Sequence, residues 1–315
     1  MQNKSDQGGL DQATENTKGV SLEPVSSCGE TIPNSGRPHR KLQVGNGFLL
    51  EFEQLSRILN YLLTQHTAKK ISRKELHKET GLSDRHLESL VSMCSAMGLV
   101  RPRLQVLTPT GYLVAAHDMF FEKKGTLEWC HYVGAGTYKN LIWFEAFNRL
   151  LQVKTLLTQE EWYRWFRNAL SGNYSKGTVT RSIAQEIRFV IDAYMNQDFA
   201  NLGVLGKLPD GRIYSQRYTD FSGPVFAAML YDFFDKNKTR LYQVKELVNT
   251  PGSPAMVFKM DEMSFRQQVE IIHECGWLRY ETTHGLDQIR LKPGFCAREF
   301  IAVFYEEREP CPDQS

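Results

Sequence analysis

The chain has 315 residues, of which 41% are hydrophobic and 11% aromatic, enough for two or three domains with buried cores. Its formal net charge of +2 excludes a chain that is basic throughout, so a nucleic-acid interface must depend on where the charges lie. No apolar run reaches the roughly 18 residues of a membrane span, and residues 1–36 lack the apolar core of a signal peptide. The six scattered cysteines form no C-x-x-C pair, which favours reduced thiols over disulfides or a zinc site. We therefore expect a cytoplasmic protein.

Residues 1–41 are rich in small and polar residues and have hardly any periodic apolar positions. Such a segment buries too little surface to offset its ordering entropy, so we predict a disordered leader. The leader ends in a basic run of Arg37, His39, Arg40 and Lys41. This run either reaches a phosphate backbone or is simply solvated, and solvation is the more common outcome.

A helix-turn-helix pattern follows an amphipathic helix predicted over residues 51–65. Ser72 and Glu75 have the S-x-x-E spacing of a capping box, which predicts a short helix that ends at Gly81. Ser83 is placed to cap a second helix, whose apolar residues recur at helical spacing.

Residues 99–107 then have β-like composition with Pro102 at their centre, which favours an edge hairpin. The whole pattern predicts a winged helix-turn-helix domain over residues 42–115. Its charge is uneven, because residues 65–104 contain eight Lys or Arg and four Asp or Glu.

Residues 116–220 predict a helical, aromatic-rich middle domain. Thr158 and Glu161 form another capping box, and residues 202–218 read as a hairpin around a Pro-Asp-Gly turn. Five polar residues near the start of this domain could form a metal or acid/base site: His117, Asp118, Glu122, Glu128 and His131. No two of them have the sequence spacing of known sites. The alternative, which we favour, is that Trp129 and Tyr132 pack and that His131 is a hydrogen-bonded core histidine.

Residues 221–308 repeat the order of the first domain and predict a second winged-helix-like domain, followed by a tail over 309–315. Its helices are expected over 223–236 and 242–248, with Ser264 and Gln267 capping a third. Eleven Lys or Arg face twelve Asp or Glu in 221–308, so this copy lacks the charge excess of the first. The fold class is thus mainly α (α+β), with two winged helices flanking a helical middle domain.

The middle of the chain resembles a prokaryotic family of unknown function, number four thousand and seven. The resemblance is carried by Asp118, Gly125-Thr126-Leu127, Trp129, His131-Tyr132, Trp143 and Phe147-Asn148, and it extends more weakly over residues 42–305. It implies a subunit coded near sulfur-transfer proteins of the phosphoadenosine-phosphosulfate reductase type, in clusters for DNA phosphorothioation or phage defence. The family supplies no catalytic residues to carry over.

Together with the resemblance, these patterns lead us to expect a double-stranded DNA-binding accessory subunit of a DNA-modification or phage-defence system. It would read DNA through the first winged helix, either as a single chain or as a homodimer. The expected base-reading residues are Arg85, His86 and Ser89. The expected backbone contacts are Lys69, Lys70, Arg73, Lys74, Arg101 and Arg103. Candidate contacts from the second domain, which offers a protein-docking surface as the alternative, are Arg266, Gln267, Gln268, Arg279 and Arg290.

The alternative is a protein adaptor that recruits modification or defence enzymes, with the winged helices as protein-docking surfaces. We expect no enzyme activity, because the chain has no glycine-rich phosphate loop, no nucleophile elbow and no metal-spaced cluster. No cofactor, metal ion or membrane partner is expected either.

Overall fold

Helices dominate the architecture, and three small antiparallel sheets complete it, so the fold belongs to the α+β class. The computed structural model describes residues 40–170, 174–306 and 310, all of which lie in one compact unit that spans residues 31–315. None of the helices in those ranges is long and apolar enough to cross a membrane.

The N-terminal section contains the predicted three helices and hairpin. Its elements are α1 (Phe52–Thr64), α2 (Arg73–Thr80), α3 (Asp84–Ala96), β1 (Val100–Arg101), β2 (Val106–Leu107) and α4 (Pro109–His117). The capping box of Ser72 and Glu75 is present, and Gly81 ends α2 in the left-handed region at φ 67°. Ser83 caps α3 as predicted. Helix α4 was not predicted; it begins directly after the hairpin because Thr108 caps it and Pro109 suits a first helical position.

The middle section is helical with one three-stranded sheet. Its elements are α5 (Lys124–Gly136), α6 (Leu141–Glu145), α7 (Leu151–Val153), β3 (Leu156–Leu157), α8 (Gln159–Ala169), α9 (Lys176–Thr178), α10 (Ala184–Met195), β4 (Leu205–Lys207) and β5 (Ile213–Ser215). The capping box of Thr158 and Glu161 and the hairpin of β4 and β5 are confirmed. Strand β3 adds a third strand beside β5.

The C-terminal section has the predicted helices and hairpin plus three elements that were not predicted, which are a strand, a short helix and the last helix. Its elements are α11 (Gly223–Lys236), β6 (Leu241–Gln243), α12 (Val244–Asn249), α13 (Pro254–Val257), α14 (Glu262–Glu274), β7 (Leu278–Glu281), β8 (Gln288–Leu291) and α15 (Ala297–Glu306). The predicted cap by Ser264 and Gln267 is wrong. Asp261 caps α14 instead, accepting a bond of 2.8 Å from the backbone nitrogen of Ser264.

The hairpins β1–β2 and β7–β8 are each followed by a helix, and these two helices meet. The ring of His117 at the end of α4 stacks on that of Tyr305 in α15, with centroids 5.5 Å apart. One hydrophobic core includes buried residues of all three sections, from Val44 to Tyr305. The core is therefore continuous across residues 115 and 220, where the sequence predicted domain boundaries. The division into domains stays a prediction.

Residues 40–48, here called the covering segment, are folded onto the middle section. Arg40 is 5% exposed and its Nη1 lies 2.5 Å from Oε1 of Glu145. Lys41 donates its backbone N–H to Lys139 O at 2.7 Å, and its carbonyl accepts from Leu141 N at 3.0 Å. The prediction of a disordered leader is therefore wrong for residues 40 and 41. Their polar composition gave no sign that Arg40 forms a buried ion pair with Glu145. Residues 1–39 of the predicted leader, and the predicted tail apart from Pro310, lie outside the described residues.

Candidate nucleic-acid interface

Five exposed cations gather where α2 meets the hairpin β1–β2. These are Lys69, Lys70, Lys74, Arg101 and Arg103, here called the basic patch. In the described part of the chain, none of the five forms an ion pair with an acid. Their charge is thus available to an anionic partner.

A backbone hydrogen bond joins the two halves of the basic patch. Ile71 donates its N–H to Leu104 O at 2.9 Å, so Lys70 and Arg103 each adjoin one end of this bond. The hairpin turn is closed by bonds from Leu104 N and Gln105 N to Arg101 O, at 3.2 and 2.8 Å, with Gln105 at φ 51°. The lysines at 69–74 and the arginines at 101–103 are about 30 residues apart in the sequence. They become neighbours because the hairpin β1–β2 bonds to the residue before α2.

Arg73, a predicted backbone contact, is already engaged. Its Nη2 lies 2.9 Å from Oε2 of Glu88 and donates to Asp84 O at 2.8 Å. Both side chains of the ion pair are about half exposed or more, at 46% and 63%. Arg73 thus joins α2 to the start of α3, and its charge is offset by Glu88.

The first turn of α3 carries the two predicted base-reading residues that remain accessible. Arg85 is exposed, and its guanidinium carbon lies 5.7 Å from the centroid of the Phe48 ring. The His86 ring stacks on the same Phe48, with centroids 4.7 Å apart and planes 9° from parallel. The contacts of Phe48 with Arg85 and His86 were not predicted from the sequence. The available signal was the Asn46-Gly47 pair just before it, which is typical of a turn and has φ angles of 49° and 90° in the structure.

Ser89 is buried, so the prediction that it lies on the exposed face of α3 is wrong. It is 0% exposed, and all residues from Ser89 to Cys94 are buried. The covering segment lies along this part of the helix, since Ser92 Oγ donates to Val44 O at 2.7 Å and accepts from Lys41 Nζ at 2.5 Å. The length of α3 that faces solvent is therefore its start, at Asp84, Arg85 and Glu88.

The predicted contacts of the C-terminal section are mostly occupied by protein groups. Arg266 Nη2 lies 2.6 Å from Oδ2 of Asp287 and 2.7 Å from Oε2 of Glu262. Gln268 donates to Thr219 O at 2.9 Å, and Arg290 lies 3.7 Å from Glu281. Arg279, paired in register with Arg290, and Gln267 are exposed. Three of the five predicted contacts thus have protein partners, and their role in DNA binding stays a prediction.

His131 is a hydrogen-bonded core histidine, as the sequence favoured. It is 0% exposed; its Nδ1 lies 2.5 Å from the Tyr194 hydroxyl and its Nε2 3.4 Å from Val257 O. Burial lowers the pKa of His131 to about 3, so the ring is neutral at physiological pH. Trp129 and Tyr132 are also buried, and Tyr132 donates to Asp232 at 2.8 Å.

Two buried carboxyl groups hold loops in place. Glu186 accepts from the backbone nitrogens of Val44 at 2.7 Å and Gly45 at 3.2 Å, which ties the covering segment to α10. Glu128 accepts from the Tyr218 hydroxyl and from Ser222 N at 3.1 Å. Burial raises the pKa of Glu186 to about 8 and that of Glu128 to about 7, even though these hydrogen bonds favour the charged form.

The residues that carry the family resemblance build contacts between sections. Thr126 Oγ1 lies 2.5 Å from Oδ2 of Asp118 and 2.6 Å from the Tyr305 hydroxyl. Asn148 donates to Ala135 O at 2.9 Å and accepts from Gly252 N at 2.6 Å. A Cβ on Gly125 would lie 2.6 Å from the Phe304 ring. They therefore position α5 against the C-terminal section.

A metal site is not evident in the described ranges, which contain no group of three or more His, Cys, Asp or Glu side chains able to hold an ion. Asp118 is buried, accepting from Glu122 N at 2.9 Å and Lys123 N at 3.0 Å at the start of α5. His117 and Glu122 are exposed, whereas His131 is buried. The absence of enzyme activity stays a prediction.

The family model described as Protein of unknown function (DUF4007) matches residues 67–305. The chain belongs to this family. A comparison with curated proteins found no match.

Two solved structures share the fold of this member of DUF4007. A magnesium ion-bound SspB crystal structure aligns with a TM-score of 0.65 over 83% of this chain and 87% of that one. A further SspB crystal structure aligns with a TM-score of 0.63 over 84% and 93%, respectively. Sequence identity is 15% in both cases, so the similarity concerns the fold alone.

Proposed function

We propose that the protein is a double-stranded DNA-binding accessory subunit of a DNA-modification or phage-defence system. In this proposal α1 to α3 with the hairpin β1–β2 act as a winged helix. The basic patch supports it, because five exposed cations free of acidic partners in the described ranges lie on adjoining stretches of backbone. Lys and Arg in such a cluster contact successive phosphates and release counterions.

The start of α3 supplies the only base contact in this proposal. The covering segment and the core enclose α3 beyond Glu88, so the helix approaches the major groove with its N-terminal end. Backbone N–H groups there favour a phosphate, and in this proposal Arg85 donates to a guanine. Affinity then comes mainly from phosphates and sequence preference from one side chain.

A salt titration of duplex binding tests the proposal. We expect the triple variant Lys69→Ala, Lys70→Ala, Arg103→Ala to weaken binding to every duplex and to reduce the slope of log affinity against log salt by about 0.9 for each phosphate that is no longer neutralised. The matched control replaces three exposed cations of other elements, Arg164, Arg188 and Lys207, by Ala. Absence of duplex binding by the wild-type chain at low salt, or equal weakening by the two triple variants, would contradict the proposal.

The second candidate function is an adaptor that recruits modification or defence enzymes. It is favoured by the C-terminal section, whose Arg266 is held by Asp287 and Glu262 instead of being open to DNA. Copurification with the proteins coded beside this one, unchanged in the basic-patch triple variant and after nuclease treatment, would favour the adaptor. Loss of the complexes on nuclease treatment would favour DNA binding.

A further inference from the structure

Helix α14 has an exposed face that is partly apolar. Met263 is 63% exposed and Ile271 is 47% exposed, and Gln267 lies between them one turn from each. At 100° per residue these three positions, together with Glu270 and Glu274, occupy about 100° of the helix circumference over about 17 Å. The opposite face packs into the core through Phe265, Val269 and Ile272.

The same face is acidic. Glu270 and Glu274 are exposed, and within residues 40–170, 174–306 and 310 neither forms an ion pair. The nearest cation on the helix, Arg266, is neutralised by Asp287 and Glu262 at 2.6 and 2.7 Å. Phosphates would be repelled here, whereas Lys or Arg side chains would be attracted.

The geometry suits a second helix. The apolar residues at i and i+8, with the Gln267 side chain at i+4, form a ridge against which another helix can pack. Met263 has a flexible and polarizable side chain, which adapts to an apolar partner surface. Because Phe265, Val269 and Ile272 anchor α14 from behind, binding on this face requires no rearrangement of the core.

We propose that the exposed face of α14, formed by Met263, Gln267, Glu270, Ile271 and Glu274, binds a helix of another protein that presents an apolar stripe bordered by Lys or Arg. The apolar stripe contacts Met263 and Ile271, and the partner's cations pair with Glu270 and Glu274. This interaction does not depend on DNA binding by the basic patch.

Site-specific photocrosslinking tests the proposal in the full chain. A benzoylphenylalanine residue at position 267, in cells that also express the neighbouring genes, should crosslink to a helical segment that contains Lys or Arg. The double variant Glu270→Lys, Glu274→Lys should reduce the crosslink at least tenfold, and changing the partner's cations to Glu should restore it. Charge reversal at the two exposed positions Glu51 and Glu160, Glu51→Lys with Glu160→Lys, is the matched control and should leave the crosslink unchanged.

Several results would overturn this inference. They are the absence of a crosslink, a crosslink to DNA or to a second copy of the chain, a contacted segment without Lys or Arg, and a crosslink that survives the charge reversal. Duplex binding by the same variants separates the two proposals, because the α14 changes should leave the salt slope of the basic patch unaltered.

Discussion

Arg85 is the one predicted base-reading residue that is exposed. His86 is stacked on Phe48 and Ser89 is buried, so neither is as free to reach a base edge. The Phe48 ring also limits where the Arg85 guanidinium can point, since it lies 5.7 Å away. A guanidinium restricted in this way loses less rotamer entropy when it binds a guanine.

We therefore predict that Arg85→Ala relaxes sequence preference at a single base pair. The expected loss of discrimination is about 1 to 3 kcal/mol there, with a much smaller effect on affinity for unrelated duplexes. Binding of a randomised duplex library, sequenced before and after selection, measures it. Arg164→Ala is the control, and an unchanged preference in Arg85→Ala would show that α3 does not read bases.

Caps were predictable at the residue scale, whereas burial was not. The Ser72 and Glu75 box depends only on residues three positions apart, and it is present. The burial of Ser89 depends on tertiary packing of α3, and the covering segment reaches this helix at Ser92 from more than 40 residues away in the sequence. Helical spacing gives the direction of a side chain but does not identify what covers it.

Among the elements, the covering segment has the greatest effect on the interface. It crosses from α6 to α3 and α10 through polar contacts of Arg40, Lys41 and Val44, which are buried or partly buried. Its composition resembles that of a disordered segment, because polar residues that pair inside a protein look the same in sequence as polar residues in water. The partner acids Glu145 and Glu186 are themselves in apolar helices, which was the signal that sequence reasoning missed.

Removal of Arg40 tests the importance of this segment. Glu145 is 0% exposed, so Arg40→Ala leaves a buried carboxylate with Arg149, whose Nε lies 3.1 Å away, as its remaining cation. We expect Arg40→Ala to lower the free energy of unfolding by about 3 kcal/mol. Urea denaturation of Arg40→Ala, Glu145→Ala and the double variant measures the coupling between the two residues. Strictly additive effects would contradict a coupled buried pair.

For the whole molecule, the buried carboxyl groups make stability depend on pH. The pKa of Glu186 is raised to about 8 and that of Glu128 to about 7, above the value of 4.5 for an exposed Glu. The folded state therefore retains protons that the unfolded state has released, and this contribution to stability is lost as pH rises toward 8. His131, with its pKa lowered to about 3, acts in the opposite sense below pH 6.5. The decline is consequently clearest between about pH 6.5 and 8.

We predict that the free energy of unfolding falls over this pH range and that Glu186→Gln reduces the fall. The contribution of Glu186 is about 2 kcal/mol, at roughly 1.4 kcal/mol per pH unit below its folded pKa. Chemical denaturation at half-unit pH steps measures it. The exposed Glu79, changed to Gln, should retain the wild-type slope. A Glu186→Gln slope equal to that of the wild type would contradict the assignment.

The order of most elements could be predicted from the sequence, but their assembly could not. Hydrophobic periodicity located α1, α3, α11 and α14, because each has one apolar face. Strands β3 and β6 escaped detection, since two or three residues are too few to show a period and each is completed by a hairpin distant in sequence. The contact between His117 and Tyr305 likewise joins residues that no local pattern relates.

The aromatic core also gives the protein a built-in optical reporter. Trp143 and Trp162 are 1% and 0% exposed, and the indole nitrogen of Trp143 donates to the Tyr194 hydroxyl at 2.8 Å. Indole emission shifts to longer wavelength when water reaches the ring, so global unfolding should be visible in the intrinsic fluorescence of the unlabelled chain. The basic patch contains no tryptophan, and duplex binding there should leave the emission maximum in place. A variant that no longer binds DNA but keeps its emission maximum is therefore impaired at the interface, whereas one whose emission shifts is no longer folded.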